Sequence, residues 1–163
     1  MSSESFKPNP VFMRRAIEEA LEHLPAMAGG PFGVCLVRGD EVLAVAHNTV
    51  LKDHDPTCHG ETNAIRLAAR KLKSYDLSGC EIYSTAEPCP MCFAAIHWAR
   101  IGRLIYGTAI GEVARLGFNE LTLSSAQMQA LGRSPVVIYP GFLADACRQL
   151  LAEWARMPGR QVY

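Results

Sequence analysis

Two short segments thirty residues apart, His59-Gly60-Glu61 and Pro88-Cys89-Pro90-Met91-Cys92, constrain this chain more than anything else in it. One imidazole and two thiols supply three ligands for a tetrahedral zinc and leave the fourth position to water. Glu61 adds a carboxylate that need not bind the metal. The C-x-x-C pair alone is also the mark of a structural zinc half-site or a redox pair. The combination is more specific, because a structural site fills its fourth position with protein and has no use for a spare acid. Any fold this chain adopts has to bring the two segments together.

The pattern around each segment predicts helices. His59 and Glu61 fall in the first turn of a helix expected from about Asp55, the candidate cap, to Lys73. Cys89 and Cys92 fall in the first turn of another, over Pro88 to Arg100. Cysteines three apart on a helix lie on one side, and a helix N-terminus favours thiolate over thiol. Two thiolates cancel the formal charge of zinc, which lowers the cost of burying it. A neutral zinc centre is a weaker acid for its water than one held by three imidazoles. A nearby carboxylate that collects the proton compensates, and Glu61 is placed for that task.

The rest of the chain reads as alternating elements. Apolar residues at helical spacing run from Pro10 to Leu24, with Asn9 as cap. Val34 to Arg38 and Val42 to His47 read as strands around the hairpin signal Gly39-Asp40. Asn48 to Thr57 reads as a polar loop. Further strands are predicted at Glu81 to Thr85, Arg103 to Thr108 and Pro135 to Tyr139. Gly111 to Leu131 holds one or two short helices, and Phe142 to Met157 is a last helix. The order argues one sheet between helices, in a single domain spanning residues 1–163.

Sixteen basic and sixteen acidic side chains balance, which argues against a dedicated nucleic-acid binder. Arg66, Arg70, Lys71 and Lys73 read as a solvated helix face. Ser2 to Pro10 is polar, and no apolar run is long enough to span a bilayer, so a cytoplasmic location is expected. Without an export signal, Cys35, Cys58, Cys80 and Cys147 read as small core hydrophobes. His23, His47, His54 and His97 have no ligand partners nearby in the sequence and read as non-ligands.

The paired motif H-x-E and P-C-x-x-C is the signature of zinc deaminases, and the chain resembles the cytidine-deaminase-like superfamily. Within it, it is most similar to the small bacterial guanine deaminases. The similarity extends over Gly29-Gly30-Pro31-Phe32-Gly33, Asn48, Asp55-Pro56-Thr57, Asn63-Ala64-Ile65-Arg66, Glu87-Pro88-Cys89-Pro90-Met91-Cys92, Ala95-Ile96-His97-Trp98-Ala99-Arg100, Gly117-Phe118-Asn119-Glu120 and Tyr163. The resemblance implies a three-layer α/β/α sandwich with a central five-stranded mixed sheet. It implies Zn2+ held by His59, Cys89 and Cys92, with Glu61 as proton shuttle. It implies that Asn48 and the Gly60 amide bind a nucleobase, that Phe32 and Trp98 wall it, that Glu120 reads its N–H groups and that Tyr163 closes the pocket. A homodimer, its C-terminal segment exchanged between subunits, goes with this picture.

Two residues depart from the guanine branch. Gly60 stands where that branch usually has alanine, as in fungal-type cytosine deaminases, and Glu120 stands where relatives commonly have aspartate. Related enzymes with glutamate there also accept ammeline. The expected activity is hydrolytic deamination of a free base, guanine first. Cytosine, ammeline or another amino-heterocycle is the alternative. A tRNA adenosine deaminase comes after these, and a non-catalytic zinc protein last.

Overall fold

The computed structural model describes residues 6–163. The first half of the polar stretch Ser2 to Pro10 therefore lies outside the described residues. Five strands form one sheet, in the order β2-β1-β3-β4-β5. They are β1 (Gly33–Arg38), β2 (Glu41–His47), β3 (Cys80–Ala86), β4 (Arg103–Thr108) and β5 (Val137–Tyr139). β1 runs antiparallel to both β2 and β3, while β3, β4 and β5 are parallel. The sheet is thus mixed, as expected. Gly39, at φ +57°, makes the β1–β2 turn in the left-handed region that glycine enters without strain.

Helices cover both faces. On one side α3 (Gly60–Leu72), α4 (Pro90–Trp98) and α6 (Ser125–Gly132) bury Ala64, Ala68, Phe93 and Ile96 against Leu36, Ile82 and Leu104 of the sheet. On the other, α1 (Pro10–His23) and α7 (Ala144–Arg156) set Met13, Ala16 and Cys147 against Cys35, Tyr83 and Ile105. β1, β3 and β4 are buried almost throughout, which is what helices on both faces require. Two short helices, α2 (Val50–Asp53) and α5 (Ile110–Ala114), complete the set.

Three predicted boundaries are corrected. The helix expected from Asp55 begins at Gly60. The Asp55 side chain accepts from Thr57 N at 2.8 Å and so closes a turn of its own instead of capping a helix. The chain then reaches His59 extended (φ −70°, ψ 158°), and His59 itself is the cap position. The helix expected from Pro88 likewise begins at Pro90, with Cys89 as its cap position. The polar loop after Asn48 contains the single turn α2. Asn9 does cap α1, its Oδ1 accepting from Val11 N at 3.0 Å. Arg66, Arg70, Lys71 and Lys73 are exposed, and all six cysteines are free thiols. Among the described residues no helix is long and apolar enough to cross a membrane.

Candidate active site

The late helix starts place a ligand residue at the mouth of each helix. His59 and Cys89 are the residues before α3 and α4, and neither helix has a side-chain cap on its first N–H groups. Gly60, the first residue of α3, is buried there. The free N–H groups of both first turns favour negative charge between them. The donor atoms of His59, Cys89 and Cys92 lie within 4.8 Å of one another.

These three residues fit a zinc ion. Cys89 Sγ is 3.6 Å from His59 Nδ1. Donors at ordinary Zn–S and Zn–N lengths on a tetrahedral ion stand about 3.6 Å apart. The two thiols share one proton, and their pKa values are driven apart. Cys89 is pulled down to about 4, first by the hydrogen bond from Cys92 and then by His59 against the opposing effect of burial. Cys92, which holds the shared proton beside that thiolate, goes up. Burial alone lowers the pKa of His59, but the hydrogen bond with Cys89 and then the Glu61 charge outweigh it and leave the ring more basic than usual.

Glu61 is buried and stands outside the three-donor cluster. Ser84 Oγ, from β3, donates to its Oε1 at 3.1 Å. Burial raises the carboxyl above its ordinary value, against the pull of His59.

A cavity of about 260 Å³ opens beside this cluster, at the small end of ligand pockets. Phe32, Asn48, His59, Glu61, Cys89, Glu120 and Tyr163 all line it, so seven expected site residues share one space. Phe118 stacks edge-on against both Phe32 and Tyr163, with centroids 5.2 and 5.3 Å away. The Tyr163 hydroxyl accepts from Gly30 N at 3.1 Å, and its carbonyl accepts from Asn119 N at 2.9 Å. Tyr163 of this same chain thus lines the pocket.

Asn48 is 1% exposed, and its Nδ2 is, among the described residues, the buried side-chain nitrogen or oxygen without a hydrogen-bond partner. Its Oδ1 is used, accepting from Val50 N at 3.1 Å. The amide weakly favours ionisation of the Tyr163 hydroxyl, whose pKa burial raises, but their geometry falls short of a hydrogen bond. Gly29 makes room for Asn48, since a Cβ there would stand 2.6 Å from its carbonyl oxygen. Gly29→Ala is expected to destabilise by about 1–3 kcal/mol, read as a lower urea midpoint.

Glu120 sits across the cavity. Burial first, then the negative charge of Cys89, pushes its carboxyl up to about 7, with His59 opposing.

Trp98 is not in the pocket. It is 80% exposed at the end of α4 and lines a separate surface hollow with Tyr75 and Pro135. It lies six residues beyond Cys92, about 240° around the helix, which points it away from the thiols. Phe118 lines the pocket in its stead. Trp98→Ala is expected to leave kcat and KM within about twofold of the parent, as for an exposed surface residue.

Two residues were missed in the sequence. Ser84 orients Glu61, and a serine in a strand carries no local signal of that. Glu87, 6% exposed, accepts from Ile110 N at 2.8 Å and Ser125 N at 2.7 Å. It thereby fixes the starts of α5 and α6, which bracket the loop carrying Phe118 and Glu120. An acid in the Glu-Pro-Cys run was the available signal.

A family model described as the cytidine and deoxycytidylate deaminase zinc-binding region matches residues 7–108. The chain is 40% identical over 109 residues to a guanine deaminase from Bacillus subtilis (strain 168), covering 67% of this chain and 70% of that protein. Among solved structures, a guanine deaminase from Nitrosomonas europaea superposes with a TM-score of 0.84 at 27% identity, over 94% of this chain and 88% of the other. A tRNA A34 deaminase that edits A to I at the wobble position gives a TM-score of 0.77 at 30% identity, over 88% of this chain and all (100%) of the other.

Proposed function

Because the chain belongs to the family defined by the cytidine and deoxycytidylate deaminase zinc-binding region, we propose that it is a zinc-dependent guanine deaminase, a hydrolase acting on a cyclic amidine. The reaction takes guanine and water to xanthine and ammonia. The observation that carries this reading is the buried, unpartnered amide of Asn48 facing the same small cavity as Glu61 and the His59, Cys89 and Cys92 cluster. An orphaned buried donor costs about 1–3 kcal/mol and marks a place where a ligand supplies the acceptor.

His59, Cys89 and Cys92 would hold the zinc. When bound, zinc supplies a nucleophile at neutral pH by lowering the pKa of water at its open position. Glu61 takes the proton of the attacking water and passes it to the ring nitrogen beside the attacked carbon. It then assists the amine to leave as ammonia. Ser84 holds the carboxylate in that line. Asn48 Nδ2 donates to an acceptor on the polar edge of the base, and the Gly60 N–H adds a second donor. Glu120 accepts from the base's N–H groups. Phe32 and Phe118 contact the ring, and Tyr163 shuts the pocket. Gly60 itself favours this geometry, since a Cβ there would meet Val34 Cγ2 at 3.0 Å and Phe32 O at 3.4 Å.

The balanced charge and the small cavity favour a free base over a tRNA. The protein is read as a cytoplasmic homodimer. The test is ammonia release by purified, zinc-loaded protein over a panel of guanine, cytosine, ammeline, a pterin and an adenosine-bearing tRNA stem-loop. Guanine is expected to be turned over fastest. Preference for another heterocycle keeps the deaminase and changes the base, and activity on the stem-loop alone would overturn the free-base reading.

A further inference from the structure

Glu19, His23 and His47 gather a carboxylate and two imidazoles with donor atoms within 4.8 Å of one another, apart from the catalytic cluster. Glu19 and His23 are four residues apart on α1 and so share a face. His47 ends β2 and reaches them because α1 packs across that strand. The sequence alone gives His47 no partner; the fold supplies one. His47 Nδ1 is 2.7 Å from Glu19 Oε1, and His23 Nδ1 is 3.5 Å from the same oxygen. The two rings stack at 3.8 Å and 16°. All three residues are half-buried, and both histidines line a cavity of about 500 Å³ that Met27 and Gln161 also border.

We propose that Glu19, His23 and His47 form a second metal site, for a divalent transition ion such as zinc, cobalt or nickel. A metal bonded to nitrogen or oxygen at about 2.0–2.2 Å holds its donors about 2.9–3.4 Å apart. The separations of 2.7 and 3.5 Å from Glu19 Oε1 bracket that range, so the carboxylate is in place, and binding asks the two stacked rings to splay until both Nδ1 lone pairs meet one ion. Two imidazoles and one carboxylate suit these ions and not magnesium or calcium, which take oxygen donors. The set has no thiolate, so it is the weaker of the two sites and fills after the catalytic one.

The proton balance is simple. His23 Nδ1 now lies 2.9 Å from the Glu19 carbonyl oxygen, and His47 Nδ1 faces the Glu19 carboxylate. Each neutral ring carries one proton. Coordination through Nδ1 moves that proton to Nε2 on the far side of the ring. The exposed Lys52 also lines the cavity, and its flexible stem lets the ammonium swing to water. An occupied site would tie α1 to the end of β2, one residue before Asn48. The inference is independent of which base the enzyme deaminates, or whether it deaminates one.

The test is a titration of the zinc-loaded protein with Co2+, followed by calorimetry and visible absorption. One further equivalent per chain is expected, with ligand-field bands but without thiolate-to-cobalt charge transfer, which would report exchange into the Cys89 and Cys92 site. His23→Gln and Glu19→Gln are each expected to lose that equivalent and to retain the first metal and the rate of deamination. Uptake that stops at one metal per chain would overturn the proposal. So would a second equivalent that survives both substitutions, which would assign it elsewhere on the surface and leave Glu19 as a hydrogen-bond acceptor that pins α1 to β2.

Discussion

Glu61→Gln is expected to lower kcat by about 10² to 10⁴-fold, the range general acid–base catalysis supplies, with zinc content and thermal midpoint close to the parent. The substitution keeps the volume of a fully enclosed side chain and leaves an oxygen to accept from Ser84 Oγ. It removes only the ability to take and return a proton. Burial already holds the carboxyl above its ordinary value, so the native group captures a proton from water more readily than an exposed glutamate would. Loss of kcat with little change in KM separates this role from substrate binding. Steady-state kinetics with metal analysis on the same preparation decides the matter. A variant that keeps its zinc and turns over at the parent rate removes Glu61 from the chemistry.

The same residue shows how much of the site the sequence carries. His59, Glu61, Cys89 and Cys92 are legible because their spacing puts unlike donors at two helix starts, a local pattern. The layered α/β fold is legible too, because the buried strands are continuous apolar runs and the helices have one apolar face. The exact helix starts are not. Asp55 and Pro88 look like the residues that open helices, yet Asp55 closes a turn with Thr57, and the chain needs the extra residues to bring His59 and Cys89 to the helix mouths. Trp98 misleads for a related reason. It shares a helix with Cys92, but helical rotation carries it to the surface. Ser84, Glu87 and His47 are illegible as site residues because their partners lie 23 to 38 residues away on other elements, where spacing says nothing.

Glu120→Ala is expected to reduce kcat/KM for guanine by about 10²-fold or more, since on the proposed reading it strips the acceptor from N–H groups of the bound base. The loop that carries Glu120 is held by its backbone, through Glu120 N to the Phe118 carbonyl at 2.8 Å and Asn119 N to the Tyr163 carbonyl at 2.9 Å. Glu87 fixes the helix starts on either side. Removing the side chain should therefore leave the loop, the metal and the thermal midpoint in place. Burial and the Cys89 charge push the carboxyl up to about 7, so N–H donors from a bound base draw it to its ionised form and gain a charge-assisted bond. Glu120→Asp keeps the charge but withdraws it by one methylene. It should recover most of the lost rate, and it should shift preference among guanine, ammeline and cytosine, because each presents its N–H groups at a different reach. Kinetics of the three variants on the three substrates measures this directly. Equal losses on every substrate would mean that Glu120 shapes the pocket without reading the base, and an unchanged rate would return it to the surface.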